Sequence, residues 1–218
     1  MEEIKYGDNL IIIKPYNGSV ESVACDNLYF SHHLLDNNLK PDQTISHSWV
    51  TQLSLQNSDK QIIKSLYFIG ILRSAGIDYN PLQYLLKENI LILYFETTIL
   101  ALKPQTLDPI WELTDFFDVI SIEEHKGDLF IHDELELVRI DKEGTVKWRF
   151  SGSDHFVSYD GTENFMFKDD FIRMVDSNEI EYHISYEGKD IMNINSNYFN
   201  GFSKSKDNLL QRIIKKFR

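Results

Sequence analysis

Three stretches decide the fold: ILALKPQTLDPIW at residues 99–111, ELVRIDKEGTVKW at residues 136–148, and FIRMVDSNEIEYH at residues 171–183. Each reads as an apolar strand, a polar turn and a second strand that ends in or near an aromatic residue. The interval from Trp111 to Trp148 is 37 residues, and the interval from Trp148 to Tyr182 is 34 residues. A repeat of this length built from short strands is typical of a propeller of β-sheet blades.

The same pattern extends over most of the chain. After residue 89 it predicts strands at 90–95, 98–103 and 109–114; 119–124, 128–132, 135–140 and 145–150; and 155–159, 164–167, 171–175 and 179–185. Before residue 89 it predicts strands at 9–16, 19–25, 28–35, 49–55 and 61–71, and one short helical turn at 82–87. A weaker pair at 190–194 and 198–202 ends the series, and we expect strand 9–16 to complete its sheet and close the ring.

The fold class that these patterns predict is all-β. We expect a small β-propeller-like ring of about four to five short-stranded blades in residues 1–203. Residues 204–218 form a separate segment, KSKDNLLQRIIKKFR, with six basic residues and one acidic residue. Its apolar residues fall on one helical face, so we expect an amphipathic, basic C-terminal helix that packs on the acidic body or binds a partner or an anionic membrane.

Composition limits the class of protein. Hydrophobic residues make up 42% of the 218 residues, which is enough for a globular core. The net charge of −12 repels nucleic acid and anionic membranes and attracts basic partners. Cys25 is the only cysteine and the N-terminus has no signal-peptide layout, so we expect a cytoplasmic protein without an internal disulfide.

The turn at residues 101–111 resembles the repeat of pyrroloquinoline-quinone-type (PQQ-like) β-propellers, which reads roughly Ala-Leu-Asp-x-x-Thr-Gly-x-x-x-Trp. Lys103 and Leu107 depart from that pattern, at the acidic and glycine positions. The residues that match it are Ala101, Leu102, Thr106 and Trp111, then Asp141, Gly144 and Trp148 in the second stretch, and Asp176 in the third, which ends in Tyr182 without a tryptophan.

The resemblance implies a ring of blades whose tryptophans dock neighbouring blades. Many members of the family bind no quinone and serve as scaffolds or interaction platforms. Its quinoprotein enzymes are larger and periplasmic, and they use a vicinal disulfide and a calcium site. A single cysteine excludes the vicinal disulfide, so we expect a non-catalytic member without a cofactor.

Candidate chemistry is sparse. His32 and His33 are adjacent, and on a strand they point to opposite faces, so we expect no metal site from them and His47. Carboxylates lie beside histidines at Glu123-Glu124-His125 and Asp154-His155, where we expect charged blade edges. The sequence contains no GxGxxG, GxxxxGK or GxSxG motif.

These observations favour a non-catalytic protein-binding domain with an acidic surface that recognises a basic protein partner. An immunity protein that neutralises a toxin is the sharper form of this hypothesis, because such targets carry basic substrate clefts. The alternatives are an enzyme or small-ligand-binding protein that uses the propeller channel, and a structural adaptor. The residues that we expect to contact the partner are Glu123, Glu124, Asp154, Asp169 and Asp170.

Overall fold

The computed structural model describes residues 1–17, 27–30, 48–71, 82–157 and 163–192. These residues contain sixteen β-strands and no α-helix. The strands are β1 (Glu2–Tyr6), β2 (Asn9–Pro15), β3 (Leu28–Phe30), β4 (Ser48–Gln56), β5 (Ile62–Ile71), β6 (Gln83–Lys87), β7 (Ile90–Phe95), β8 (Thr98–Leu102), β9 (Pro109–Leu113), β10 (Val119–His125), β11 (Asp128–Asp133), β12 (Glu136–Ile140), β13 (Val146–Ser151), β14 (Phe165–Phe167), β15 (Phe171–Val175) and β16 (Glu181–Ser185).

The strands form four sheets, and in sheets 2–4 each strand pairs with its neighbour along the chain. Sheet 1 has the order β1-β2-β4-β5-β3, with β3 parallel to β5 at its edge. Sheet 2 contains β6–β9, sheet 3 contains β10–β13, and sheet 4 contains β14–β16, all antiparallel. In sheet 4 an isolated bridge between Ile184 and Asp190 stands where the fourth strand of sheets 2 and 3 begins. Short up-and-down sheets in succession define a β-propeller-like fold, which confirms the predicted fold class.

The turn after the third strand repeats from sheet to sheet. In sheets 1, 3 and 4 it spans Asn57–Gln61, Asp141–Thr145 and Ser185–Lys189, and its first side chain accepts the backbone N–H groups of the third and fifth residues. Sheet 2 has a longer version at Lys103–Asp108, closed by an N–H bond from Lys103 to the carbonyl of Asp108. In sheets 1, 2 and 3 a β-bulge precedes the turn at the same place.

The last part of each turn places one residue at positive φ. This residue is Lys60 (61°), Leu107 (54°), Gly144 (83°) or Gly188 (81°). Glycine adopts this backbone conformation without a steric penalty, whereas other L-residues adopt it at a cost. At Gly144 and Gly188 an indole ring of the preceding sheet lies directly over the turn, so a side chain at either position would also collide with that ring.

Two tryptophans dock neighbouring sheets, as the family resemblance implied. The indole N–H of Trp111, on β9, donates to the carbonyl of Lys142 at 2.9 Å, and its ring lies over Gly144. The indole N–H of Trp148, on β13, donates to the carbonyl of Tyr186 at 2.9 Å, and its ring lies over Gly188. Each tryptophan therefore contacts the repeated turn of the next sheet.

Between sheets 1 and 2, an ion pair takes the place of the tryptophan contact. Lys64 follows Lys60 by four residues, as Trp148 follows Gly144, and its Nζ lies 2.7 Å from Oδ1 of Asp108. Leu107 takes the glycine position of that turn and is fully buried against sheet 1. An aliphatic side chain thus fills the space that an indole ring occupies at the later junctions.

The stretch 171–183 does not correspond to the stretches 99–111 and 136–148, because it lies one strand earlier in its sheet. The turn at Asp176–Ile180 connects the second and third strands of sheet 4, and Trp148 docks the following turn, Ser185–Lys189. Asp176 and Tyr182 are therefore not the equivalents of Asp141 and Trp148. The residue at the position of Trp148 in sheet 4 is Met192.

Three buried clusters lie between successive sheets. The first joins sheets 1 and 2, the second joins sheets 2 and 3, and the third joins sheets 3 and 4. Alternate residues of one strand enter different clusters: Leu91 and Leu93 enter the first, and Ile92 enters the second. The central strands are buried on both faces, which explains continuous apolar runs such as ILILYF at 90–95.

Three predictions about the arrangement are wrong. Residues 83–87 form strand β6 and not a helical turn, because pairing with β7 outweighs the helix-like spacing of Leu82, Leu85 and Leu86. Strand 9–16 does not complete the last sheet, because β2 lies between β1 and β4 in sheet 1. Residues 155–157 are also not in a strand. Of the predicted strand 190–194, residues 190–192 are described, and only Asp190 forms a bridge. Outside the described residues lie the predicted strands 19–25 and 198–202, the helix at 204–218, and the residues Cys25, His32, His33 and His47.

Candidate partner-binding surface

One edge of sheets 2–4, which we call the acidic rim, lies where β7, β11 and β15 end. It comprises residues 96–97, 114–118, 134–135, 152–157, 163–164 and 176–180. Backbone N–H to carbonyl bonds connect these segments: Val119 to Glu96 at 2.7 Å, Glu134 to Asp118 at 3.0 Å, Phe156 to Glu134 at 2.6 Å, and Ser177 to His155 at 2.7 Å. The acidic rim is therefore one continuous, hydrogen-bonded surface.

The acidic rim contains eight acidic residues, of which Glu96 and Asp176 are buried, and no lysine or arginine. They are Glu96, Asp115, Asp118, Glu134, Asp154, Glu163, Asp176 and Glu179. The turns at the opposite edge of the same three sheets, which we call the mixed rim, are residues 88–89, 103–108, 126–127, 141–145, 168–170 and 186–190. They also contain eight acidic residues, but with five exposed lysines at positions 103, 126, 142, 168 and 189. The main difference between the two edges is therefore the presence of lysines on the mixed rim and their absence from the acidic rim.

Two arginines stand on strands beside the acidic rim, and both are paired. Arg149 contacts Glu136 and lies 3.6 Å from Oδ2 of Asp115. Nε of Arg173 lies 2.9 Å from Oε2 of Glu181. Glu136 and Glu181 lie outside the rim segments, and Arg149 offsets rim charge at Asp115, so the rim segments keep a net negative charge.

Asp133, at the end of β11, is buried and accepts hydrogen bonds from the backbone of the acidic rim. Its Oδ2 accepts the N–H groups of Phe117 and Asp118 at 2.8 Å each, and its Oδ1 accepts that of Leu135 at 3.0 Å. Burial raises the pKa of the Asp133 carboxyl to about 6, although these N–H groups favour its charged form. Since both oxygens hold backbone, we assign Asp133 a structural role in fixing the linker between sheets 2 and 3.

His155 connects two carboxylates of the acidic rim. Its Nδ1 lies 2.7 Å from Oε1 of Glu134, and its Nε2 lies 3.7 Å from Oδ1 of Asp154. The backbone N–H of His155 and the side-chain amide of Asn178 hold the pKa of Asp154 below its usual value. Asp154 therefore stays ionised near neutral pH and contributes a full negative charge to the rim.

Asp176 holds the far end of the acidic rim. It is buried, and its Oδ2 accepts the hydroxyl groups of Ser153 and Tyr182 at 2.8 Å each. Its Oδ1 accepts the N–H groups of Asn178 and Ile180 at 3.0 Å each. These bonds tie the turn at 176–180 to residue 153, so that exposed Glu179 stands on a fixed backbone.

The five residues that sequence analysis singled out do not form one patch. Asp154 lies on the acidic rim. Glu123, on β10, lies close enough to Glu163 of that rim that partial desolvation and this like charge raise the pKa of the Glu123 carboxyl. Glu124 lies next to the mixed rim, where a bond from Lys87 holds its pKa low. Asp169 and Asp170 are exposed on the mixed rim.

Most members of the acidic rim were missed by the sequence analysis. Glu134, Glu163 and Glu179 stand in different loops, and only the strand order shows that these loops share an edge. The available signal was the absence of lysine and arginine from alternate loops of the repeat. His125, noted beside Glu123 and Glu124, instead stacks on Phe167 and Tyr186, with ring centroids 4.4 Å and 5.0 Å away.

Comparison with known proteins assigns the chain to no family. No protein-family model matches the chain, and no curated protein matches it. Solved structures with similarity include BamB from Moraxella catarrhalis (9% identity, TM-score 0.37, 66% of this chain and 60% of that chain). A protein of unknown function from Bacteroides caccae has 10% identity and TM-score 0.39, over 70% of this chain and 63% of that one. A europium-containing methanol dehydrogenase has 10% identity and TM-score 0.37, over 84% and 34%.

This chain covers less than two thirds of the length of each of these three proteins. The four sheets and their repeated turns themselves define the class, a β-propeller-like protein. Within the described ranges no helix has the length and apolarity needed to cross a membrane. No cluster of three or more His, Cys, Asp or Glu side chains suited to a metal ion occurs in those ranges either.

Proposed function

We propose that this chain is a non-catalytic binding domain whose acidic rim recognises a basic surface on a protein partner. The observation that carries the proposal is the contrast between the rims. The acidic rim has eight acidic residues, two of them buried, and no lysine or arginine, whereas the mixed rim has eight acidic residues and five lysines. A surface of one sign accelerates encounter with an oppositely charged partner and disfavours nucleic acid and anionic lipid.

A toxin domain with a basic substrate cleft is the partner class in the sharper form of this proposal, and the chain is then its immunity protein. A rigid acidic edge suits that task, because charges fixed before binding lose little conformational freedom on association. The bonds from Asp133 and Asp176 to backbone N–H groups supply this rigidity. Many PQQ-like propellers, which the repeat resembles, serve as interaction platforms, and this agrees with a binding role.

Two double charge reversals test which rim binds. Glu163→Lys with Glu179→Lys alters the acidic rim, and Asp169→Lys with Asp170→Lys alters the mixed rim by the same charge, in each case at exposed residues. The probe is an arginine-rich peptide, with binding measured by titration calorimetry at low and high salt. We expect the first variant to bind roughly tenfold more weakly, which corresponds to about 1.4 kcal/mol, and the second to bind nearly as the wild type.

Equal losses in both variants would show that only overall charge matters and would contradict the acidic rim as the site. The toxin form of the proposal needs a second experiment in the native host. The tagged wild type and both variants are used to purify partners at low salt. Recovery of one basic protein by the wild type and the mixed-rim variant, but not by the acidic-rim variant, is the expected result. Recovery by all three, or by none, contradicts it.

A further inference from the structure

The three junctions between sheets use one pair of positions. The docking residue lies four residues after the positive-φ residue of its own turn, and it contacts the repeated turn of the next sheet. The three pairs are Lys64 with Asp108, Trp111 with Lys142 and Gly144, and Trp148 with Tyr186 and Gly188. The same pair of positions identifies a docking residue in sheet 4 and an accepting turn in sheet 1.

Sheet 4 carries a docking residue, Met192, for which the described residues provide no following sheet. Met192 has the same relation to Gly188 that Trp148 has to Gly144, and it is 57% exposed. Fourth-strand pairing has already begun there, because the N–H of Ile191 donates to the carbonyl of His183 at 2.8 Å. The backbone is therefore set as at the earlier junctions, while the apolar side chain of Met192 faces solvent.

Sheet 1 carries an accepting turn that no preceding sheet among the described residues contacts. In the turn Asn57–Gln61, the residues Ser58, Asp59 and Lys60 are exposed, and Ile62, directly after the turn, is 55% exposed. Lys60 has the positive φ of the accepting turns in the later sheets. None of the three clusters of buried residues in the described ranges joins sheet 4 to sheet 1.

We infer that two copies of this chain assemble with sheet 4 of each docked on sheet 1 of the other, Met192 meeting the turn Asn57–Gln61. A second copy is the occupant because the open position extends an interface that the chain already makes three times, and the chain itself supplies the matching turn. With a twofold axis, both open positions of both chains are filled at once, so that assembly stops at two copies. This inference depends on the docking positions and is independent of the acidic rim.

Light scattering after size exclusion measures the assembly. We expect twice the 25.6 kDa chain mass for the wild type at about 100 µM, where a pair with a Kd near 10 µM is mostly assembled, and the single-chain mass for Met192→Asp. Ile120→Asp is the matched control, because Ile120 is a 37%-exposed residue of β10 outside the docking positions. A single-chain mass for the wild type, or equal dissociation of both variants, would overturn the inference.

Disulfide trapping locates the contact and separates pairing from closure within one chain. In a Cys25→Ser background, a chain with Lys60→Cys is mixed with a chain carrying Met192→Cys and oxidised. We expect a covalent pair, and none when Glu88→Cys, at another exposed turn, replaces Lys60→Cys, because a disulfide needs Cα atoms closer than about 7 Å. No cross-link in the mixture, or a single-chain disulfide when both cysteines are on one chain, would show that copies do not pair in this way.

Discussion

Replacing Gly144 with alanine tests the docking of Trp111 most directly. A Cβ at Gly144 would lie 2.7 Å from Cδ2 of the Trp111 ring, and the residue has a φ of +83°. The backbone term is about 1–2 kcal/mol for an L-residue in this conformation. Forcing a methyl group into a filled space adds about 1–3 kcal/mol. We therefore expect Gly144→Ala to lower the free energy of unfolding by roughly 2–5 kcal/mol.

Gly127→Ala is the control, because Gly127 has a φ of +84° and no atom lies within 4 Å of its added Cβ. For Gly127→Ala we therefore expect the free energy of unfolding to fall only by the backbone contribution of about 1–2 kcal/mol. Urea unfolding followed by fluorescence gives both values, and a third measurement places Gly144→Ala in a Trp111→Ala background. There the ring is absent, and the cost of Gly144→Ala should fall to that of Gly127→Ala. A cost that is equal for both glycines, or unchanged without the ring, would refute the docking.

Three further predictions concern single contacts. Trp148→Phe removes the bond to the carbonyl of Tyr186 and should lower the free energy of unfolding by about 1 kcal/mol, measured by urea unfolding. Lys64→Met should cost less than about 1 kcal/mol, because the pair with Asp108 is partly exposed, and 1 M salt should remove the difference from wild type. Burial raises the pKa of Asp133 from 3.8 to about 6 in the folded state, so the protonated carboxyl favours folding. This stabilisation is fully present below pH 3.8 and is lost as the pH rises through 6. Relative to Asp133→Asn, the wild type should therefore lose up to roughly 3 kcal/mol between pH 4 and pH 7 in urea unfolding.

The local pattern of the repeat was predictable from the sequence, because strand–turn–strand units depend on neighbouring residues. Strands β7–β13 match the expected strands closely, since apolar runs broken by polar turns specify both pairing and register. The docking of Trp111 and Trp148 followed from the family repeat.

Other features depend on contacts distant in sequence. The apolar residues of 82–87 fit a helix, and only pairing with β7 decides for a strand. The place of β2 in sheet 1 depends on β1, whose sequence EEIKY gives little strand signal. The alignment of the third unit failed because Asp176–Ile180 and Asp141–Thr145 form the same side-chain-capped turn at different places in their sheets. The acidic rim was missed for a similar reason, because its loops become neighbours only when the sheets stack.

The division of each central strand between two clusters has a consequence for cooperativity. Leu129 packs toward sheet 2 while Phe130, the next residue, packs toward sheet 4, so that sheet 3 is part of two cores at once. A sheet boundary is therefore not a boundary between independent folding units, and opening one inner sheet exposes apolar surface on both of its neighbours. Local opening should start at the first and last sheets and move inward, and amide hydrogens in the strands of sheets 2 and 3 should exchange last.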